Sequence, residues 1–237
     1  MTDLSAAERT VRRSALWVFA TLGLMAAVYL RAQLFTPVEA TQGAAQKIFY
    51  IHVPSAWVAF LAFLVVGACS ILYLILKDPR LDRLAASSAE VGQVFVTAVL
   101  ITGPLWGRPI WGAYWVWDAR LTSTLFLWFI FFGYLVLRSA VNEPGQRARF
   151  CAVVGILGAM LVPFIHVTVY LFRTQHPLPV VLNTQGPQLP GVMLATLLFS
   201  LAVFTLFYAS LVWQRYVQAN LAEARAAQRA EQEDARA

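Results

Sequence analysis

The sequence predicts an all-α membrane protein with six transmembrane helices and both termini in the cytoplasm. Of its 237 residues, 59% are hydrophobic and only 13% are charged, which is about half the charged fraction of a usual soluble domain. Six stretches are apolar enough to cross the hydrocarbon core, which takes about 20 residues of helix. The two cysteines do not suffice for a disulfide framework. Disorder is therefore excluded, and an ordinary soluble α/β enzyme is disfavoured.

The six predicted spans are apolar runs, and the third carries Glu90 near its start. They cover residues 14–30, 48–76, 87–105, 121–137, 150–172 and 191–213. The first span follows Arg12 and Arg13, a pattern that is also typical of a signal peptide. Its 17 uncharged residues exceed the usual apolar region of a signal peptide, about 7–15 residues, and no persuasive small-residue cleavage site follows it. We therefore interpret it as a span.

The distribution of basic residues predicts the orientation of these helices. Thirteen of the 18 Lys and Arg residues lie in the N-terminus, the 77–90 and 138–149 loops and the C-terminal tail, whereas five lie in the three alternate loops. Because cytoplasmic segments carry the excess of Lys and Arg, both termini are expected in the cytoplasm. The net charge of +6 is then chiefly an insertion signal, and it does not indicate binding to nucleic acid.

The domain organisation is expected to be simple. Residues 1–213 form a single six-helix transmembrane domain, and residues 214–237 form a helical cytoplasmic tail that is rich in Ala, Arg, Glu and Gln, all good helix formers. The tail either contacts a partner or is a solvated extension. Cys69 and Cys151 lie within spans without a C-x-x-C spacing, so we interpret both as inert packing residues.

The exterior loop between the third and fourth helices is unusually rich in aromatic residues. Residues 106–120 hold Tyr114 and four of the eight tryptophans of the chain, namely Trp106, Trp111, Trp115 and Trp117. An aromatic belt spreads such residues over the helix ends at the membrane interface, whereas this loop concentrates them. Large flat side chains favour a large, flat and mainly apolar ligand. The loop therefore predicts a binding platform on the exterior side.

Asp118 and Arg120 stand at the end of this aromatic run. Asp118 is one of two acidic residues in the exterior segments, and Glu39 is the other. We expect a structural role for Asp118, in which its carboxylate orients the loop through a hydrogen bond or an ion pair.

The chain has three histidines, His52, His166 and His176. The first lies about four residues into the second span and the second about six residues before the exterior end of the fifth, which places them roughly 6 and 9 Å below the exterior boundary. Ionisable residues inside a span are costly and indicate function, so His52 and His166 are predicted to ligate one metal from opposite faces. Pro54 and Pro163 lie beside them, and we expect the resulting bends to open a cavity.

Haem is the ligand that fits both features, because its iron accepts axial imidazoles and its porphyrin plane suits a tryptophan platform. Its propionates need cationic or hydrogen-bonding partners, for which Arg108, Arg120 and Arg173 are the exterior candidates. His176 lies in the last exterior loop, where it is either a third contact or simply solvated.

Two segments resemble a known family. The stretch from Trp106 to Asp118, followed by Arg120-Leu-Thr, resembles the tryptophan-rich WWD signature of the haem-handling proteins of cytochrome c biogenesis. The segment Tyr50-Ile-His-Val-Pro-Ser-Ala-Trp57 is similar to the second-helix segment of the CcmC family, the haem exporter proteins C. The resemblance covers nearly the whole chain.

The resemblance implies a haem-presenting platform at the periplasmic face of the bacterial inner membrane. Non-covalent b-type haem would be held by two exterior histidines, matching His52 and His166, against a site formed by the tryptophans with Tyr114, Asp118 and Arg120. It would then be attached covalently to the haem chaperone CcmE, in a complex with the ABC transporter of CcmA and CcmB and the small protein CcmD. The chain itself is not expected to be an enzyme, since it has no general-base pair and no nucleophilic Ser or Cys arrangement. It has no Walker-type phosphate-binding loop either, so any ATPase activity is expected in a partner.

The sequence also departs from the family pattern at two places. Tyr170 and Phe172 stand where family members often carry a tryptophan pair, and we assign them no role. Tyr114 stands where tryptophan is common, which is a mild change for stacking.

Three alternatives remain open. A b-type cytochrome-like electron-transfer subunit also uses paired transmembrane histidines, but it needs no loop with four tryptophans, and one haem near one face gives no path across the membrane. A secondary transporter predicts inverted repeats and broken helices at the midplane, and we detect neither. A structural membrane subunit would leave the tryptophan loop a coincidence.

Overall fold

The computed structural model contains six long α-helices. It describes residues 4–178, 181 and 186–236. The helices are α1 (Leu4–Leu30), α2 (Phe49–Leu76), α3 (Pro79–Trp111), α4 (Ala119–Ala140), α5 (Pro144–Leu171) and α6 (Gly191–Asp234). Each is long and apolar enough to cross a membrane, and the described part of the chain has no β-strand. The predicted all-α, six-helix fold class is thereby confirmed.

Several helices extend beyond the predicted spans because their ends are set by capping residues and not by hydropathy. α3 begins eight residues before its predicted start, where Asp78 accepts a hydrogen bond from the Arg80 amide at 2.9 Å and Pro79 occupies the first turn. Pro at the first helical position after an acidic cap is a favourable helix start. α5 begins in the same way, with Glu143 as its cap and Pro144 in its first turn.

α6 is the longest helix and continues without a break from Gly191 to Asp234. Its residues beyond the predicted span pack against the bundle, since Val217 and Leu221 are buried. Arg83 pairs with Glu223 at 2.5 Å and ties this extension to α3.

α2 is the central helix, and it packs against α3, α5 and α6, while α1 packs mainly against α6 and α4 against α5 and α3. The contact between α2 and α3 is close because Gly92 lies against Phe63 and Ala62. A Cβ atom at Gly92 would stand 2.8 Å from the Ala62 Cβ. Small residues allow this approach of helix backbones in membranes. Phe63 also stacks on Phe131 of α4, with ring centroids 3.7 Å apart.

This arrangement places the aromatic connection between α3 and α4, the start of α2 and the end of α5 at one end of the bundle. α3 ends there at Trp111 and α4 begins there at Ala119, and we call it the tryptophan end. A partly buried bidentate ion pair between Arg138 and Asp82, with N–O distances of 2.8 and 2.7 Å, joins α4 to α3 at the opposite end.

Candidate haem-binding site

A cavity of about 200 Å³ opens at the tryptophan end between α2, α3, α4 and the segment that follows α5. Six of the predicted site residues line it, namely His52, Trp106, Trp111, Tyr114, Trp115 and Arg120. His176, whose role the sequence leaves open, lines it as well. Trp117, Asp118 and His166 are not among the lining residues. The cavity therefore gathers residues from four separate parts of the chain.

The aromatic wall is built partly by a helix and partly by a connection. Trp106 and Trp111 belong to the last turns of α3, which ends at Gly112 with a φ of 77°. This left-handed conformation favours glycine. Trp111 folds back on its own helix, so that a Cβ atom at Gly107 would stand 2.9 Å from the Trp111 ring. Trp115 follows in the short connection to α4, which is much shorter than the predicted loop of residues 106–120.

His52 projects from α2 into the cavity and is only 8% exposed. Its Nδ1 atom lies 2.9 Å from the Thr102 hydroxyl, which itself donates to the carbonyl of Ala98 at 2.7 Å. Because a hydroxyl has one proton to donate, Thr102 accepts here and His52 Nδ1 is the donor. The lone pair of the neutral imidazole is then on Nε2, the atom that a metal would bind.

Trp106 links His52 to the segment that precedes α2. Its ring packs edge-on against the His52 ring, with centroids 5.7 Å apart. Its indole Nε1 donates a hydrogen bond to Gln42 Oε1 at 3.0 Å. Gln42 also lines the cavity, although nothing in the local sequence distinguishes it from other polar loop residues.

His176 reaches the cavity from the segment after α5. Burial, reinforced by the positive charge of Arg120, lowers its pKa to about 4, so the imidazole is neutral at pH 7. Its Nδ1 atom lies 2.9 Å from the carbonyl oxygen of Pro177. Since a carbonyl only accepts, Nδ1 carries the proton and Nε2 is again the atom with the lone pair.

Asp118 holds the His176 segment against α4. Its Oδ1 atom caps α4 by accepting from the Leu121 amide at 2.8 Å, and its Oδ2 atom accepts from the Thr174 hydroxyl at 2.6 Å and from the Gln175 amide at 3.2 Å. The carboxylate thus orients the loop through hydrogen bonds, one of the two interactions that the sequence suggests for it.

Two buried donors that face this region have no acceptor among the described residues. They are Nη1 of Arg120 and Nε1 of Trp115. A buried donor without an acceptor costs free energy, and both side chains line the cavity. An oxygen-bearing ligand in the cavity would satisfy them. The carboxylate of a propionate is such a ligand.

The other two predicted propionate partners lie elsewhere. Arg108 sits over the ring of Tyr114, 5.6 Å from its centroid, and donates to the Gly112 carbonyl. Arg173 is exposed. Neither lines the cavity, so Arg120 is the one of the three candidates that does.

His166 is placed differently from the sequence prediction. It is exposed on α5, where its neighbours Ile165 and Thr168 are fully buried, and its ring centroid is 6.5 Å from that of Tyr170. The inward face of α5 is the one that carries Ile165 and Thr168, so His166 points away from the cavity. The structure therefore brings His52 together with His176 and not with His166.

Comparison with known proteins identifies related sequences over the same region. The family model described as "Heme exporter protein C" (CcmC) matches residues 3–232. The chain is 37% identical to "Heme exporter protein C" of Bradyrhizobium diazoefficiens, over 82% of this chain and 74% of that protein. It is 30% identical to the protein of the same name from Haemophilus influenzae, over 86% of this chain and 82% of the relative. A "Putative cytochrome c biosynthesis ccmC-like mitochondrial protein" of Arabidopsis thaliana is 32% identical over 79% of this chain and 69% of its own length. The match to the family model covers the first five helices, α6 up to residue 232, and the cavity.

Proposed function

The chain belongs to the CcmC family of haem exporter proteins, and from this premise we propose that it binds haem in the cavity at the tryptophan end and presents it to an acceptor protein. Membership of this family gives the chain, a multi-pass membrane protein, a role in haem handling for cytochrome c maturation. The observation that carries the finer proposal is the cavity itself. There, two imidazoles, three tryptophans and an unsatisfied arginine donor meet.

The residues that would hold the haem iron in this cavity are His52 and His176. Both line one cavity, and a hydrogen bond from Nδ1 leaves Nε2 of each ring available for the iron. This assignment replaces His166 with His176 in the pair that the sequence suggests. The reason is that His166 is exposed on α5 and does not line the cavity, whereas His176 does.

The size and chemistry of the cavity fit a partly enclosed porphyrin. Its volume of about 200 Å³ is below the roughly 300–1,000 Å³ of a usual small-molecule pocket, so part of the macrocycle would remain outside the bundle. Trp106, Trp111 and Trp115 offer rings for the enclosed part. Arg120 Nη1 offers a charged donor for one propionate. When haem is bound, its vinyl group supplies the chemistry for covalent attachment to the acceptor.

The haem is proposed to be b-type and non-covalently bound. Covalent attachment to this chain would need a cysteine near the macrocycle, and both cysteines, Cys69 and Cys151, are buried away from the cavity lining. The imidazoles, the aromatic wall and Arg120 would then hold the ligand without a covalent bond.

The proposed setting is the bacterial inner membrane, with the tryptophan end on the periplasmic side. The support is the excess of basic residues at the opposite end, 13 of 18 Lys and Arg by the sequence count, because cytoplasmic segments carry this excess. The proposed acceptor is the haem chaperone CcmE. Trp117 is 77% exposed beside the cavity and gives such an acceptor an aromatic surface to contact. CcmA, CcmB and CcmD are the proposed remaining partners, with any ATPase activity in those subunits.

An electron-transfer subunit is a poorer fit. Transfer across the membrane needs a second redox site toward the opposite end. The chain has three histidines, and all of them lie toward the tryptophan end: near the start of α2, near the end of α5 and just after α5. No imidazole pair is therefore available for a second haem toward the opposite end.

The experiment that tests the proposal is absorption spectroscopy of the protein purified in detergent from haem-replete cells. Wild-type protein is expected to carry haem with two imidazole ligands. His52→Ala and His176→Ala should each lose the haem or change its spectrum, whereas His166→Ala should resemble wild type. Wild-type protein without haem contradicts the function, and an altered His166→Ala spectrum beside a normal His176→Ala spectrum contradicts the ligand assignment.

A further inference from the structure

Lys47 is a buried cation at the tryptophan end, outside the cavity. Its side chain is 8% exposed, and its ammonium donates to the carbonyl oxygens of Ala32 at 2.6 Å, of Thr36, and of Pro37 at 3.4 Å. Three acceptors match the three donors of an ammonium group. No carboxylate of the described residues pairs with it, so carbonyl groups alone compensate its burial.

The carbonyl group of Ala32 lies in the last turn of the first transmembrane segment, and those of Thr36 and Pro37 follow directly after it. α1 passes into a π-helical turn at Arg31–Phe35, and Thr36 then leaves the helix with extended backbone angles. The last carbonyl groups of a helix lack partners within the helix, and they carry its negative dipole end. Lys47 therefore caps this helix from a position 11 residues beyond Thr36, and it closes the intervening segment into a fixed loop.

That loop carries a residue of the haem-binding cavity. Within it, Glu39 accepts a hydrogen bond from the Thr41 amide at 2.9 Å and a second one from the Gln42 amide, which forms a tight turn. The Gln42 side chain then accepts the indole hydrogen bond of Trp106 at 3.0 Å. Trp106 packs against the ring of His52. Lys47 is thus linked to a proposed iron ligand through the backbone of residues 37–42 and then through the side-chain contacts of Gln42 and Trp106.

We propose that Lys47 is a positioning residue for the haem site. By clamping the end of the first helix, it holds Gln42 at the indole of Trp106, and so it fixes the orientation of that indole beside His52. This inference rests on the proposed function, because it assigns Lys47 to the control of the haem environment. The part that concerns the loop itself stands on the contacts of the protein alone.

The chain offers a matched control. Lys47 and Lys77 are its two lysines, and Lys77 is exposed at the opposite end, after α2, with its ammonium 5.8 Å from the Tyr73 ring centroid. The same change at each position, Lys47→Met and Lys77→Met, separates loss of the clamp from loss of a positive charge. Lys47→Arg keeps a cationic donor and serves as the rescue variant.

The test combines amide hydrogen exchange of the haem-free protein with the absorption spectrum of the haem-loaded protein. In Lys47→Met, exchange of the amides in residues 36–48 should accelerate about tenfold or more, the factor expected for the loss of one hydrogen bond to a charged group. The haem spectrum should shift or lose intensity. Lys47→Arg should recover most of both signals, and Lys77→Met should match wild type.

Three results would overturn the inference. In the first, Lys47→Met leaves exchange in residues 36–48 unchanged. In the second, exchange accelerates there but the haem spectrum stays that of wild type, in which case Lys47 is only structural. The third result concerns Gln42→Leu, which keeps the clamp but removes the acceptor for Trp106: an unchanged haem spectrum of this variant would overturn the inference. Gln42→Leu is the deciding variant if Lys47→Met unfolds the whole bundle. Wild-type protein that binds no haem refutes the proposed function, while the exchange data still decide the role of Lys47 in the loop.

Discussion

The Asp118 carboxylate accepts a hydrogen bond from the Thr174 hydroxyl at 2.6 Å, across 56 residues of sequence. The same carboxylate caps α4 through the Leu121 amide. One side chain therefore fixes both the start of a transmembrane helix and the segment that brings His176 to the cavity. The proposed pairing of His176 with His52 depends on this contact.

Removing the Asp118 carboxylate should weaken haem binding more than it weakens the fold. Asp118→Ala loses a helix cap, which costs about 1 kcal/mol, and it also frees the segment that carries His176. Glu143→Ala is the matched control, because Glu143 caps α5 at the opposite end by accepting from the Gly145 amide at 2.8 Å. We expect similar small losses in Tm for the two variants, but reduced haem content for Asp118→Ala alone. Equal haem content in the two variants would show that Asp118 acts only as a cap.

The Thr102 hydroxyl should control the ligand strength of His52. It accepts the Nδ1 proton of His52, and loss of such an outer partner usually weakens metal binding about 10–100-fold. Thr102→Val should therefore lower haem affinity by about this factor, measured by titration of haem-free protein in detergent. Thr102→Ser, which keeps the hydroxyl, is expected to bind like wild type. Equal affinities for the Val and Ser variants would contradict the role of this hydrogen bond.

Arg120 should bind a propionate of the haem. Its unsatisfied Nη1 donor predicts that Arg120→Gln lowers haem affinity about tenfold or more, since a hydrogen bond to a charged group contributes about 1.5–3 kcal/mol. Haem dimethyl ester, which has no free carboxylates, gives a direct check. Wild type and Arg120→Gln should bind the ester with nearly equal affinity.

The exposed Arg173 provides the control for that prediction. Arg173→Gln removes a positive charge at the same end without touching the cavity lining, so it should leave the affinity for haem close to that of wild type. If Arg173→Gln weakens binding as much as Arg120→Gln does, the effect is one of overall charge and not of a specific contact.

The ion pair between Arg138 and Asp82 should be important for stability and not for haem binding. Its side chains are 18% and 11% exposed, and removing one partner of a buried pair costs about 3–5 kcal/mol because the other charge stays buried. Asp82→Asn should therefore lower Tm strongly. Glu8→Gln breaks the exposed pair with Arg225, which is half-exposed on both sides, and it should cost about 1 kcal/mol or less.

Thermal unfolding in a single detergent compares these two variants. A Tm change in Asp82→Asn as small as that in Glu8→Gln would mean that water reaches Arg138 in the folded protein. Haem content at low temperature should remain that of wild type in both variants, because both ion pairs lie far from the tryptophan end.

Hydropathy predicted the number and type of the helices, because the hydrocarbon core imposes a minimum apolar length on each of them. It could not locate their ends. Two helices begin at an acidic residue followed by proline, at Asp78-Pro79 and at Glu143-Pro144. A hydropathy window of membrane length excludes these polar residues, although both pairs are recognisable helix starts in the sequence. The membrane-spanning parts of the helices are therefore predictable from hydropathy, whereas the positions of the helix ends are predictable only from the capping residues.

The candidate site was predictable where residues cluster locally and unpredictable where contacts span the chain. Residue type and local position suffice to predict Trp106, Trp111 and His52 as site residues, and all three line the cavity. His166 was favoured over His176 because its depth in the membrane matched that of His52. Depth does not fix the helix face, and Ile165 and Thr168 occupy the inward face of α5. The position of His176 depends on long-range hydrogen bonds, which no local pattern encodes.

The most direct test of the account is the identity of the second axial ligand, read by magnetic circular dichroism of haem-loaded variants. Haem proteins with one histidine and one methionine ligand differ in electronic structure from those with two histidines. His176→Met is predicted to give the histidine–methionine signature, while His166→Met keeps the bis-histidine signature of wild type. The reverse result, in which His166→Met changes the ligand and His176→Met does not, would contradict the proposed site.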